Sequence, residues 1–142
     1  MATYTVVASR GMDAAPEQVY AVLSDVDQHR KILPKEFRSL VPESGNIWRS
    51  EMQVWGQKTL FRLTVTQVEP GRVFTEVDEA AGASTVWTLN PVDGCKRCEV
   101  TLATTYRAKP GFAGWVERLL VQRITPGIYG RELANLAAVA GA

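Results

Sequence analysis

The stretch IWRSEMQVWGQKTLFRLTVTQVEPGRVF, residues 47–74, decides the fold. Apolar and polar residues alternate through it, so that Trp48, Met52 and Val54 fall on one side of an extended chain, and Arg49 falls on the other. A period of two residues is typical of a strand with one buried face. Gly56 and the pair Pro70-Gly71 interrupt the alternation with turn signals. The stretch therefore predicts consecutive antiparallel hairpins with one apolar face and one polar face.

The same pattern continues on both sides of this stretch, from Phe37 to Arg107. Turn signals recur at Ser44-Gly45-Asn46, Ala81-Gly82 and Asp93-Gly94, which divides the region into six strands. A further strand is predicted before it, over residues 3–8, because Thr, Tyr and Val dominate there.

Two short helices are expected between the first strand and the six-strand region. Pro16 suits the first turn of a helix, and apolar residues follow at helical spacing up to Val26. Pro34 is expected to end a second short helix that begins near Asp27.

A long C-terminal helix is predicted over residues 112–139, broken at Pro126-Gly127. Its apolar positions form one stripe before the proline, which includes Trp115 and Leu119, and a second stripe after it, rotated by roughly a quarter turn. The sequence thus predicts a bend at the proline, with the first half of the helix acting as a lid over a cavity. Together the elements predict an α+β fold in which a seven-stranded antiparallel sheet wraps around one long helix.

Length and composition limit the function classes. The chain has 142 residues, enough for one domain over residues 1–142, with 46% hydrophobic residues, 22% charged residues and a net charge of +1. This balance gives no electrostatic reason to expect nucleic-acid binding. The sequence shows neither a secretory leader nor a membrane span, so we expect a cytoplasmic protein.

The order of elements and several local phrases resemble the START-like, or SRPBCC, superfamily, which has the helix-grip fold and includes polyketide cyclase/dehydrase and lipid-transport proteins. The resemblance covers nearly the whole chain and is carried by APEQVY at 15–20, LSDV at 23–26, VTQVEPGRVF at 65–74, VWTLNPVDGCKRCEV at 86–100 and ERLLVQRITPGIYGRELANLAAVA at 117–140. It implies a cavity between the sheet and the last helix that holds a small hydrophobic molecule such as a lipid, an isoprenoid or a polyketide-like compound. It also leaves open an enzyme of the cyclase/dehydratase kind, and no cofactor is implied.

The inward-facing apolar residues are the candidate ligand contacts in such a cavity. Large aromatic and aliphatic side chains commonly form cavity walls. The candidates are Trp48, Met52, Phe61, Leu63, Trp87, Val100, Leu102, Trp115 and Leu119. Trp55 falls on the polar side instead and favours a contact with another protein, and a homodimer is left open.

Three polar residues are the catalytic candidates. His29, the chain's single histidine, lies in a polar stretch, and we expect it to be solvent-exposed in the bend between the two short helices; the alternative is a general base. Tyr106 falls on the inward face of the last strand, where its hydroxyl could donate or accept a hydrogen bond. Arg123 falls within the apolar stripe of the helix, so either the bend turns it outward or it faces a carbonyl or anionic group.

Cys95 and Cys98 form a CxxC pair that would suggest zinc or redox chemistry. A structural zinc site needs about four ligands, and the sequence lacks a second Cys or His pair to complete one. Residues three apart on an extended strand are also about 10 Å apart, too far for a disulfide. We therefore expect no metal site and read Cys98 as a small core residue.

Overall fold

The computed structural model describes residues 2–141 and confirms the α+β helix-grip architecture. One antiparallel sheet of seven strands has the order β1-β7-β6-β5-β4-β3-β2, and a long helix packs against its concave face. The elements along the chain are β1 (Thr3–Met12), α1 (Pro16–Ser24), α2 (Val26–Arg30), β2 (Phe37–Ser44), β3 (Ile47–Val54), β4 (Gln57–Glu69), β5 (Val73–Asp78), β6 (Ala83–Val92), β7 (Arg97–Arg107) and α3 (Gly111–Ala140).

The predicted hairpins form where the turn signals stand. At the β3–β4 turn Trp55 and Gly56 both adopt positive φ angles, 51° and 78°, the backbone that a two-residue turn with the twist of the flanking strands requires. Strand β1 is longer than predicted, because it pairs with β7 in continuous register from Thr3 opposite Arg107 to Met12 opposite Cys98. The added length buries Met12 in the core.

The two short helices also form, with a different end for the second. Pro16 opens α1, and Asp25 caps α2 by accepting hydrogen bonds from the backbone N–H groups of Asp27 and Gln28, at 2.9 and 3.5 Å. Helix α2 ends at Arg30 and not at Pro34, four residues beyond, because the chain tightens into a turn there, in which the backbone N–H of Lys31 donates to the carbonyl oxygen of Gln28.

The prediction that α3 is broken at Pro126-Gly127 is wrong. The helix continues through both residues from Gly111 to Ala140. Its inward side is one uninterrupted stripe with spacings of three and four residues. The stripe consists of Ala113, Val116, Leu120, Ile124, Ile128, Glu132 and Leu136, with Glu117, Val121, Thr125 and Tyr129 beside them. A break is therefore absent, while a bend of the continuous helix at Pro126 and a lid movement of its first half stay predictions.

The expected inward position of Trp115 and Leu119 is also wrong. Their side chains are 56% and 46% exposed, on the side of α3 turned away from the sheet. The assumed stripe combined the true inward positions Val116 and Leu120 with their outward neighbours.

The hydrophobic core lies at the end of the sheet against which α1 and the second half of α3 pack. Leu23, Ile32 and Leu136 are fully buried there, together with Trp87 and Leu89 of β6. The first half of α3 leaves a gap between itself and the sheet, which positions the candidate site.

Candidate ligand cavity

A cavity of about 870 Å³ lies between the concave face of the sheet and α3. Its walls come from β1 to β7 on one side and from α3 on the other. His29 of α2 lies at one end, which we call the inner end of the cavity. The volume lies within the range of small-molecule sites, about 300–1,000 Å³. The gap exists because the inward residues of the first half of α3 reach the sheet only partly: Leu120 remains 41% exposed.

The predicted ligand contacts divide into three groups. Met52, Phe61, Leu63, Trp87 and Leu102 line the cavity. Trp48 and Val100 are buried in the core outside the lining, while Trp115 and Leu119 are exposed outside it. That the first five contact a ligand stays a prediction.

His29 is buried, so the expectation of a solvent-exposed histidine is wrong. Only 2% of the residue is exposed, and its ring stacks edge-on between Trp48 and Trp87, with centroid distances of 5.4 and 5.8 Å. The Asp25 cap starts α2 in an orientation that leaves Asp27 exposed and turns His29 inward. Nδ1 lies 2.8 Å from the backbone carbonyl oxygen of Leu23, which holds the ring so that Nε2 points toward the inner end of the cavity.

Two carboxylates flank the Nε2 atom of His29. Glu76 Oε1 lies 3.3 Å away and Glu132 Oε2 lies 3.7 Å away. Burial by itself lowers the pKa of His29, but the two carboxylates and the Leu23 carbonyl outweigh it and raise the pKa to about 9. At neutral pH His29 is therefore an imidazolium, a form that donates a proton, whereas the general base considered from the sequence requires the neutral ring.

Glu76 is the complementary group. Burial raises its pKa above the usual range, with a further rise from Glu132, although His29 and the nearby Trp87 side chain act in the opposite direction. A carboxylate with a raised pKa beside an imidazolium can accept a proton. Although the group combines one histidine with two carboxylates, residues 2–141 hold no cluster of three or more such side chains arranged to bind a metal ion.

A second polar group crosses the cavity wall as a chain of hydroxyls. Thr85 Oγ1 lies 2.8 Å from Thr104 Oγ1, which lies 2.5 Å from the hydroxyl of Tyr129. The Tyr106 hydroxyl is 3.3 Å from that of Tyr129, so Tyr106 lines the cavity as the sequence suggested. Burial raises the pKa of both tyrosines, which keeps them protonated and able to donate.

Strand register explains why these groups meet. Glu76 on β5 is opposite Thr85 on β6, and Thr85 is opposite Thr104 on β7, so the three form one row on the concave face. Sequence reasoning missed this row, together with Glu132, because it followed only the apolar members of each inward face. The available signal was a polar residue in an inward phase: Glu76 lies two residues after the buried Phe74, and Glu132 lies within the buried stripe of α3.

Arg123 does not join the site. It is exposed on α3 and does not line the cavity, so of the three catalytic candidates only His29 and Tyr106 share one space. Trp55 is 77% exposed at the β3–β4 turn, on the rim of the cavity. Cys98 is buried in the core, whereas Cys95 is exposed in the preceding turn.

The sequence matches a known protein family over nearly its whole length. The family model for polyketide cyclase/dehydrase and lipid transport matches residues 3–141. No curated protein matches the chain by sequence. No helix within residues 2–141 is long and apolar enough to cross a membrane.

Solved structures share the fold at low sequence identity. The KanY protein matches with a TM-score of 0.85 and 21% identity over 100% of both chains. The ZhuI aromatase/cyclase from Streptomyces sp. R1128 matches with a TM-score of 0.79 and 16% identity, over 99% of this chain and 94% of that one. A START superfamily protein from Mycobacterium smegmatis matches with a TM-score of 0.71 and 13% identity, over 96% and 97% of the two chains.

Proposed function

The chain belongs to the polyketide cyclase/dehydrase and lipid transport family, and from this premise we propose that it binds a small hydrophobic molecule between the sheet and α3. The observation that carries the proposal is the cavity of about 870 Å³. Its wall combines apolar side chains such as Phe61, Leu102 and Ile128 with a few buried polar groups. A lipid, an isoprenoid or a polyketide-like compound has the matching chemistry, a large apolar surface with few polar atoms.

A fluorescent apolar probe tests the proposal directly. N-Phenyl-1-naphthylamine, which is neutral and brightens in an apolar environment, is titrated into the protein. We expect saturable binding of one molecule, and we expect Ala83→Trp, which places an indole in the cavity wall, to weaken it at least tenfold. Ala138→Trp is the matched control, because Ala138 is exposed on α3 away from the cavity.

Equal probe binding by the two tryptophan variants would contradict the proposal. If both tryptophan variants bind the probe like the unsubstituted protein, the probe lies on the surface and the proposal fails.

If the probe does bind in the cavity, native mass spectrometry of protein purified from its own host identifies the class of the natural ligand, because a molecule held in the cavity adds its mass to the chain.

A second candidate function is a cyclase/dehydratase-like enzyme that uses the same cavity. It is favoured by the pairing of a protonated His29 with Glu76, a donor and an acceptor at the inner end of an apolar space. In this reading Glu76 accepts a proton from the carbon next to a ketone. His29 and the hydroxyls of Tyr106 and Tyr129 would stabilise the enolate oxygen by donating hydrogen bonds.

Hydrogen–deuterium exchange at carbon tests this enzyme hypothesis without knowledge of the natural substrate. The protein is incubated with 2-acetylnaphthalene in D₂O, and NMR follows loss of the methyl protons. Exchange faster than in buffer that disappears in Glu76→Gln and in His29→Asn supports the enzyme. If the ketone binds but its methyl protons exchange no faster than in buffer, the enzyme hypothesis is contradicted and the binding function still stands.

A further inference from the structure

Two buried polar atoms at the inner end of the cavity have no hydrogen-bond partner among residues 2–141. They are Oε1 of Glu76, an acceptor, and Nε1 of Trp87, a donor. Both atoms have close neighbours without reaching hydrogen-bonding geometry: Glu76 Oε1 is 3.3 Å from His29 Nε2, and the Trp87 side chain is near enough to Glu76 to lower its pKa. Trp87 is 1% exposed, so bulk water does not solvate its N–H group. Buried unpaired groups of this kind are costly, and each requires an explanation.

The two residues belong to neighbouring strands and their side chains lie on the same face of the sheet. Phe74 pairs with Trp87, and Glu76 lies two residues along β5, so Glu76 and Trp87 are diagonal neighbours on the concave face. Both residues line the cavity. An acceptor and a donor side by side match a group that both donates and accepts, and a hydroxyl is the smallest such group.

We propose that this end of the cavity binds the hydroxyl of a neutral hydrophobic alcohol or phenol, and that it discriminates against a carboxylate. The ligand O–H donates to Glu76 Oε1, and its oxygen accepts from Trp87 Nε1. This inference rests on the proposed binding function and adds to it the polar group that orients the ligand.

The local charges argue against an anionic ligand at this end. Glu76 and Glu132 both face His29 Nε2, so this buried cation already has two acidic neighbours. A ligand carboxylate would add a third and would receive no free cation in return. The other cations of the lining lie at the mouth and are engaged: Lys109 Nζ lies 3.1 Å from Glu117 Oε2, and Arg107 donates to the carbonyl oxygen of Glu79.

Three ligands of one shape separate the contributions. Naphthalene, 2-naphthol and 2-naphthoate are measured by isothermal titration calorimetry at pH 7, where the naphthol is neutral and the naphthoate is anionic. We expect 2-naphthol to bind about tenfold more tightly than naphthalene, the order expected for a hydrogen bond to a charged group. We expect 2-naphthoate to bind at least tenfold more weakly than 2-naphthol.

Substitutions assign the preference to its residues. Trp87→Phe keeps an aromatic ring and removes the donor, so it should reduce the preference for naphthol over naphthalene. Glu76→Gln keeps an acceptor and removes the charge, so it should reduce the difference in binding affinity between 2-naphthol and 2-naphthoate. Tyr106→Phe removes a cavity hydroxyl away from this pair, so it tests the alternative that the tyrosines bind the ligand hydroxyl. Ser9→Ala is the matched control, since it removes an exposed hydroxyl outside the cavity and should leave both ratios unchanged. If Trp87→Phe does not fold, Glu76→Gln still tests the assignment.

The outcomes separate the two proposals. If none of the three ligands binds, the proposed binding function fails. If all three bind equally, or if Tyr106→Phe rather than the other two variants removes the naphthol preference, binding stands and the hydroxyl site is refuted.

Discussion

The buried ion-pair cluster at His29 predicts that the protein loses stability as the pH rises toward 9. The pKa of His29 is about 9 in the folded protein and 6.5 in an unfolded chain. The folded state therefore holds its proton more tightly, and the resulting stabilisation is fully present below pH 6.5 and is lost between 6.5 and 9. Glu76 also has a raised pKa, so it acts with the same sign, but from about pH 4.5 upward.

The magnitude follows from the difference in pKa. Each pH unit is worth about 1.4 kcal/mol, so the shift of His29 sets an upper limit of about 3 kcal/mol for its contribution. Screening by exposed solvent does not reduce this limit much, because the His29 side chain is only 3% exposed. We expect the free energy of unfolding to fall by about 2–3 kcal/mol between pH 6.5 and 9, a large part of a typical domain stability.

Urea unfolding followed by tryptophan fluorescence, at half-unit steps from pH 6 to 9, measures this fall. His29→Asn supplies the control, because it removes the titrating group and should flatten most of the slope in this range. Cys98 has a pKa raised by burial, which adds a slope near pH 9 in both proteins and cancels in the comparison. Two results would refute the conclusion that Glu76 and Glu132 hold a proton on His29. One is a free energy of unfolding that stays constant from pH 6.5 to 9, and the other is an equal dependence of that free energy on pH in both proteins.

Three substitution sets test the packing of α3 and the hydroxyl chain by chemical unfolding. Leu136→Ala should cost about 3 kcal/mol, since Leu136 is fully buried, whereas Leu119→Ala at an exposed site should cost less than about 1; similar losses would refute the corrected inward face. Tyr129→Phe should cost about 1 kcal/mol through the lost hydrogen bond to Thr104, and an unchanged stability would deny that bond any net contribution. Gly114→Ala should destabilise, because a Cβ there overlaps a backbone carbonyl, while Gly127→Ala has open space and should stabilise by up to about 1 kcal/mol; the reverse order would contradict the helix geometry.

The fold was predictable because its signals are local and repeated. Alternation in residues 47–74 and the turn at Trp55-Gly56 specify hairpins, and consecutive hairpins place β2 to β7 in chain order across the sheet. The long helix was predictable in extent but not in phase. A helix beside an open cavity has half-exposed residues such as Leu120 on its inward side and Trp115 on its outward side, so hydrophobicity alone did not separate them.

The polar centre of the site was not predictable from local sequence. His29 is next to exposed aspartates in the chain, and only the three-dimensional arrangement brings Glu76 and Glu132, 47 and 103 residues later, to its ring. Its burial depends on these distant partners, because a buried cation without them would be too costly. Tyr106 could be assigned to the cavity because its strand alternates regularly, whereas the outward position of Arg123 required the true phase of α3.

The location of a bound hydrophobic molecule is the most direct test of this account. Isotope-filtered NOE spectra of the labelled protein with N-phenyl-1-naphthylamine report which side chains touch the probe. A ligand between the sheet and α3 gives cross-peaks to Trp87, Leu102 and Ile128, all of which line the cavity. Cross-peaks confined to the exposed Phe112 and Trp115 would place the probe on the outer face of α3 and contradict the central claim.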